Sequence, residues 1–176
     1  MEFELLGDES VGPTLSLDHE EFAYAGKFVM SSTGKTVVRD GDALVGAVAF
    51  SQDYDDPDAV RLRYVTVRED RRGEGIGPHL LRFTAERLRD RYEEVLIAAN
   101  NPMAYEACYR AGFVFTGEQT GIAELVLRYH PTDGDPAVYR DGYETFRGRD
   151  LPAAHEALCE RNAGSDLPAV VSVPGN

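Results

Sequence analysis

The chain has 176 residues, two cysteines and a formal charge of −13 at pH 7. That length suits one domain with its own core, and the negative balance excludes a general nucleic-acid binder, whose affinity comes from cations facing phosphates. Cys108 and Cys159 form no CxxC pair and no histidines have ligand spacing, so neither a disulfide framework nor a zinc site is indicated.

No apolar run approaches the ~20 residues a membrane-spanning helix needs. The start, MEFELLGDES, lacks a basic stretch followed by an apolar one, so no signal peptide is read there. A cytoplasmic protein without membrane or nucleic-acid partners is expected. Acid is spread from Asp8 to Asp166, while Lys27 and Lys35 are the only lysines. Either an acidic face attracts a cationic partner, or the whole surface suits concentrated salt. The even spread favours the second, because the Debye length shrinks to ~3 Å at 1 M and self-repulsion is screened.

The N-terminal third reads mostly as strands. KTVVRDGDALVGAVAF gives two, joined by a tight turn at Asp40-Gly41-Asp42. QDYDDPDA is an exposed loop, and AVRLRYVTVR is a strand that passes from half-buried to fully buried at Tyr64 to Val67, as in the middle of a sheet. After a glycine loop, Ile76, Leu80, Thr84 and Leu88 recur every fourth residue and predict an amphipathic helix ending near Tyr92. EVLIAAN is a short buried strand. Asn100-Asn101-Pro102 offers a cap and a first-position proline for a helix to about Ala111, stopped by Gly112. FVFTG and IAELVLRY pair around Glu118 to Gly121. Strand, glycine loop, helix and strand make a βαβ crossover, so at least two strands are parallel. From Pro131 the composition shifts to Pro, Gly and Asp. RDLPAAHEALCERN predicts one helix, with Asp150 as cap and Pro152 in its first turn.

Two stretches could pass for phosphate loops. SSTGKT has the end of a P-loop but Val29 where its first glycine belongs, and strands follow it, so it reads as a turn. RRGEGIG, with Gly73, Gly75 and Gly77, is not the dinucleotide fingerprint either. Three glycines at a helix start are costly. Free amides there, beside Arg71 and Arg72, suit an anion. Close packing of helix on strand is the competing reading.

VREDRRGEGIG resembles the acyl-CoA pyrophosphate loop of the GNAT N-acetyltransferase family, patterned Gln/Arg-x-x-Gly-x-Gly/Ala, with Arg72, Gly75 and Gly77 in the fixed places. NPMAYEACYRAGF is similar to that family's second segment through Asn101, Ala104, Gly112 and Phe113. The similarity is clear from about residue 43 to 129. It implies an α/β fold: a mixed sheet with helices on both faces and splayed fourth and fifth strands. It also implies a GNAT-like domain over 1–130 and a C-terminal extension over 131–176 carrying one helix. Backbone groups at Val65 and Val67 would pair with the pantetheine arm of acetyl-CoA, while Arg72, Gly73, Gly75, Ile76 and Gly77 would take the pyrophosphate, with Asn101 also at the cofactor. No metal is implied.

Three departures stand out. The family's tyrosine, a leaving-group acid, falls on Cys108, which leaves Cys108, Tyr105 and Tyr109 as candidates for that role. Pro78 removes an amide that many members offer to phosphate. The region of the family's first two helices, LSLDHEEFAYAGKF, supplies little more than a turn or two. No carboxylate lies on the central strand to take the amine's proton; Glu20, Glu21 and Glu118 are the distant candidates. His79 and His155 read as solvated or satisfied groups. The resemblance implies an acyltransferase moving acetyl from acetyl-CoA to an amine. The alternative is a non-catalytic acyl-CoA-binding sensor or partner subunit. The tail is a cap over the acceptor, a homodimer contact or a solvated extension; the sequence leaves these open, and the acceptor with them.

Overall fold

The structure, a computed structural model, describes residues 1–7 and 12–175; Asp8, one end of the acidic spread, lies outside them. Its strands are β1 (Glu2–Leu5), β2 (Gly34–Asp40), β3 (Ala43–Gln52), β4 (Ala59–Val67), β5 (Glu94–Ala99), β6 (Phe113–Gln119) and β7 (Leu125–Tyr129). The helices are α1 (Ile76–Leu88), α2 (Pro102–Ala111), α3 (Pro136–Arg147) and α4 (Ala153–Asn162). The strands form a mixed α/β sheet in the order β1-β2-β3-β4-β5-β7-β6. Two compact units make up the chain. The first runs from Met1 to Val95 with the chain end from Ser172, and the second is Leu96–Val171.

In the first unit, β1 to β4 pair antiparallel in sequence order. The β2–β3 turn is two residues long, and Gly41 at φ 58° supplies the positive angle that such a turn wants at its first central position. Along α1, Ile76, Leu80, Leu81, Phe83, Thr84 and Leu88 are buried, the stripe expected from their spacing. The helix ends at Leu88, four residues short of Tyr92. The amides of Arg91 and Tyr92 both fold back onto the Leu88 carbonyl in a closing turn. On the other face, Phe28 packs with Val37, Ala47 and Ala49, joined by Leu6, Leu15, Leu17 and Tyr64. That cover is an irregular segment with a single 3-10 turn at Ala25–Lys27, so the N-terminal third holds more loop than the alternation suggests.

Strand β4 also departs from expectation. Val65 and Val67 remain half-buried and only Thr66 is buried, so its C-terminal half alternates instead of closing on both faces. The same holds for β5, where Val95, Ile97 and Ala99 are buried and their neighbours are not. In the SSTGKT turn the lysine is turned inward. Lys35 is fully buried, its Nζ donating to the Met30 carbonyl and to both the carbonyl and hydroxyl oxygens of Thr33, each at 2.7 Å.

In the second unit, β7 pairs antiparallel with both β5 and β6. The tail holds two helices, not one. Asp135 caps α3 by accepting from the Ala137 amide at 2.8 Å, with Pro136 at the first position. Pro152, not Asp150, stands at the cap of α4.

Candidate functional site

The glycine loop follows β4 directly. Strands β3 and β4 register Val65 against Val48 and Val67 against Gly46, and the Arg68 amide donates to the Val45 carbonyl at 2.9 Å. Antiparallel bonding alternates along a strand, so Thr66 and Arg68 spend their backbone groups on β3 while Val65 and Val67 turn theirs to the opposite edge. A 3-10 turn over Glu69–Arg71 then lifts the chain off the sheet.

Gly73 and Gly75 stand at φ 84° and 79°, where an L side chain is strained, and Gly75 is the cap of α1. Gly77 differs. Its backbone is helical, and a Cβ there would meet only Val67 Cγ2, at 3.8 Å. The fold therefore requires the first two glycines but not the third, whose missing side chain leaves room over the helix start. Among the described residues, no backbone acceptor meets the amides of Gly73, Glu74, Gly75, Ile76 or Gly77. Pro78 adds no amide, and His79 closes the turn onto the Gly75 carbonyl with its amide at 3.4 Å and its Nδ1 at 2.9 Å. A carbonyl only accepts, so Nδ1 carries the proton.

The charges around the loop are partitioned. Arg68 is paired with Asp70 at 2.7 Å. Arg71 is held by Glu74 at 2.9 Å and Asp40 at 3.0 Å, and these two carboxylates raise its pKa above the ordinary value. Arg72 is exposed, and its Nε donates to the Val67 carbonyl at 3.4 Å. Loop amides plus one uncommitted guanidinium suit a diphosphate, so the residues present fit the pyrophosphate of a CoA ester.

The second unit carries the other predicted residues. Asn101 caps α2, accepting from the Ala104 amide at 2.9 Å while its Nδ2 donates to Asn100 Oδ1 at 2.8 Å. The three leaving-group candidates lie inside, with exposures of 0% for Tyr105, 2% for Cys108 and 3% for Tyr109. The Tyr105 hydroxyl donates to the Tyr139 carbonyl at 3.0 Å, and the Tyr109 hydroxyl accepts from the Phe115 amide at 2.9 Å. Burial pushes the Cys108 thiol up to about 12 and both tyrosines above their usual range. Around Tyr105, α3 contributes Tyr139, Tyr143 and Phe146 at ring distances of 6.0, 5.1 and 5.8 Å. The tail helix thus completes a core. Glu20, Glu21 and Glu118 are all exposed.

Val65, Val67, Arg72, Gly73, Gly75, Ile76 and Gly77 therefore gather at one strand end and one helix start, whereas Asn101 caps α2 and Tyr105, Cys108 and Tyr109 are buried along it. Sequence reasoning missed the Arg71–Asp40 contact, for which a separation of 31 residues leaves no local signal. Among the described residues, no group of three or more His, Cys, Asp or Glu is placed to hold a metal, and no helix is long and apolar enough to cross a membrane.

No curated protein matches the sequence. Among solved structures, the smu.2055 protein of Streptococcus mutans UA159 is similar at 19% identity and a TM-score of 0.54, over 74% of this chain and 99% of that one. An N-acetyltransferase from Staphylococcus aureus Mu50 is similar at 15% identity and 0.49, over 57% and 68%. A GNAT family acetyltransferase from Elizabethkingia anophelis with acetyl-CoA bound is similar at 16% identity and 0.46, over 56% and 76%. The model of the acetyltransferase (GNAT) family matches residues 4–113, more than half of the sequence. The chain belongs to the acetyltransferase (GNAT) family.

Proposed function

We propose that the protein transfers acetyl from acetyl-CoA to an amine by direct attack. The observation that carries this reading is the run of amides from Gly73 to Gly77, which meet no backbone acceptor among the described residues, beside the exposed Arg72 guanidinium. These groups take the pyrophosphate, and the outward backbone of Val65 and Val67 takes the pantetheine arm. In the reaction the neutral amine nitrogen forms a bond to the thioester carbon, the C–S bond breaks so that CoA leaves as its thiolate, and the nitrogen gives up one proton to solvent. An outward amide of β4 is the donor for the oxyanion that develops on the way.

The buried candidates give the leaving group no proton. Tyr105 donates its hydroxyl proton to the Tyr139 carbonyl, and Tyr109, whose hydroxyl accepts from the Phe115 amide, and Cys108 are both buried in the core. A thiol with a pKa of roughly 8.5 leaves near neutral pH without an acid, and solvent protonates it afterwards. The acidic, lysine-poor composition supports an enzyme working in concentrated salt.

Release of free thiol from acetyl-CoA, followed with a panel of amines, tests the reading; amine-dependent release is expected. Acetyl-CoA binding without turnover by any amine favours the sensor reading, to which the inward-facing Cys108 also points.

A further inference from the structure

The face of β4 away from α1 carries a second group of residues. Tyr64 projects there, packed against the Phe28, Val37, Ala47 and Ala49 core, whereas Val67 faces Gly77 on the α1 side. Over Tyr64 lies Tyr24, with ring centroids 5.9 Å apart, and the Lys27 ammonium stands 5.6 Å from the Tyr64 ring. Tyr24 is half exposed and holds φ 59°, a left-handed angle that bulky residues seldom adopt. Contacts hold the segment on both sides of it. On one side the Glu69 amide donates to the Glu21 carbonyl at 2.9 Å, tying the segment to the start of the anion loop; on the other, Phe28 is fully buried. Strain over-determined in this way collects at ligand sites.

Lys27 is the chemical exception. The chain has two lysines, and Lys35 is locked inside, so Lys27 presents the one exposed lysine side chain of a protein with charge −13. No carboxylate pairs with it among the described residues. We propose that Tyr24, Lys27 and Tyr64 dock the acceptor, and that the acceptor is an amine that also carries a carboxylate, an α-amino acid with an apolar or aromatic side chain. Lys27 pairs with the carboxylate and the two rings take the side chain. The inference rests on the acetyl-CoA reading: with the cofactor on the α1 side of β4, an amine reaches the thioester from the face that bears Tyr64.

The test compares L-phenylalanine with phenethylamine, which keeps ring and amine but lacks the carboxylate, in the thiol-release assay. Wild type is expected to prefer phenylalanine by about tenfold or more in kcat/KM, the scale of one charge-assisted contact. Lys27→Met should bring that ratio close to one through KM, and Lys27→Arg should restore it. Tyr24→Ala should raise KM for both compounds. Equal use of the two compounds by wild type, or a ratio unmoved in Lys27→Met, overturns the proposal. So does calorimetric binding of acetyl-CoA with turnover of neither compound. Absence of acetyl-CoA binding overturns the underlying reading as well, which keeps the two failures apart.

Discussion

Arg71 donates to Asp40 at 3.0 Å, joining the β2–β3 turn to the glycine loop and deciding which of two adjacent arginines is left for a ligand. With Glu74 on its other edge, Arg71 is spent on the protein, while Arg72 is not. Arg72→Ala should therefore weaken acetyl-CoA binding by about tenfold or more, the scale of a lost hydrogen bond to a charged group. Arg71→Ala should weaken it less, through loosening of the loop, and that smaller loss should shrink further in high salt. Calorimetry at low and high salt reads both. Equal losses in the two variants would contradict the partition of charge.

Gly142 packs directly against the Tyr105 ring, and a Cβ there would overlap it. On an exposed helix, glycine to alanine stabilises by up to about 1 kcal/mol. Here the added methyl has nowhere to go, so Gly142→Ala should instead destabilise by about 1–3 kcal/mol. Thermal unfolding of the variant gives the sign directly, and a raised midpoint would mean that α3 does not seat on Tyr105 as described.

Burial also sets a pH dependence. The Cys108 thiol is pushed from 9.0 up to about 12. Between those values the unfolded chain has released this proton and the folded chain has not, so stability falls as pH rises through the window and is undiminished below it. Tyr105 and Tyr143, also pushed up by burial, add to the decline at higher pH. Denaturant midpoints at about pH 8 and about pH 10 should show the loss, with a smaller loss in Cys108→Ala than in wild type. In native protein near pH 8, Cys108 should resist thiol reagents. Rapid modification there would contradict its burial and reopen it as a leaving-group acid.

The elements that sequence marks best are those whose signals are local. Asn101-Pro102 and Gly112 bracket α2, and the four-residue rhythm from Ile76 marks α1. The same Asp-Pro signal stands at 135–136, but glycines on either side and Gly142 within mask the helix; its reason is Tyr105, a contact across 37 positions that no local rule expresses. Likewise, the run Tyr64-Val65-Thr66-Val67 does not reveal that one face of β4 stays half open, because that depends on what covers it. The glycine loop was readable because its backbone demands glycine at 73 and 75. Burial of Tyr105, Cys108 and Tyr109 was not, since their helix faces are defined only once α3 and β6 are in place.

Under the proposed function, the Gly73–Gly77 amides hold the pyrophosphate of acetyl-CoA. The most direct measurement is isothermal titration of acetyl-CoA into wild type and Gly77→Leu, with circular dichroism as the folding control. Position 77 has a helical backbone and an open Cβ direction, so leucine fits the fold while filling the space above the helix start. Binding by wild type and its loss in the folded variant is the predicted result. No binding by wild type, or equal binding by both proteins, would contradict it.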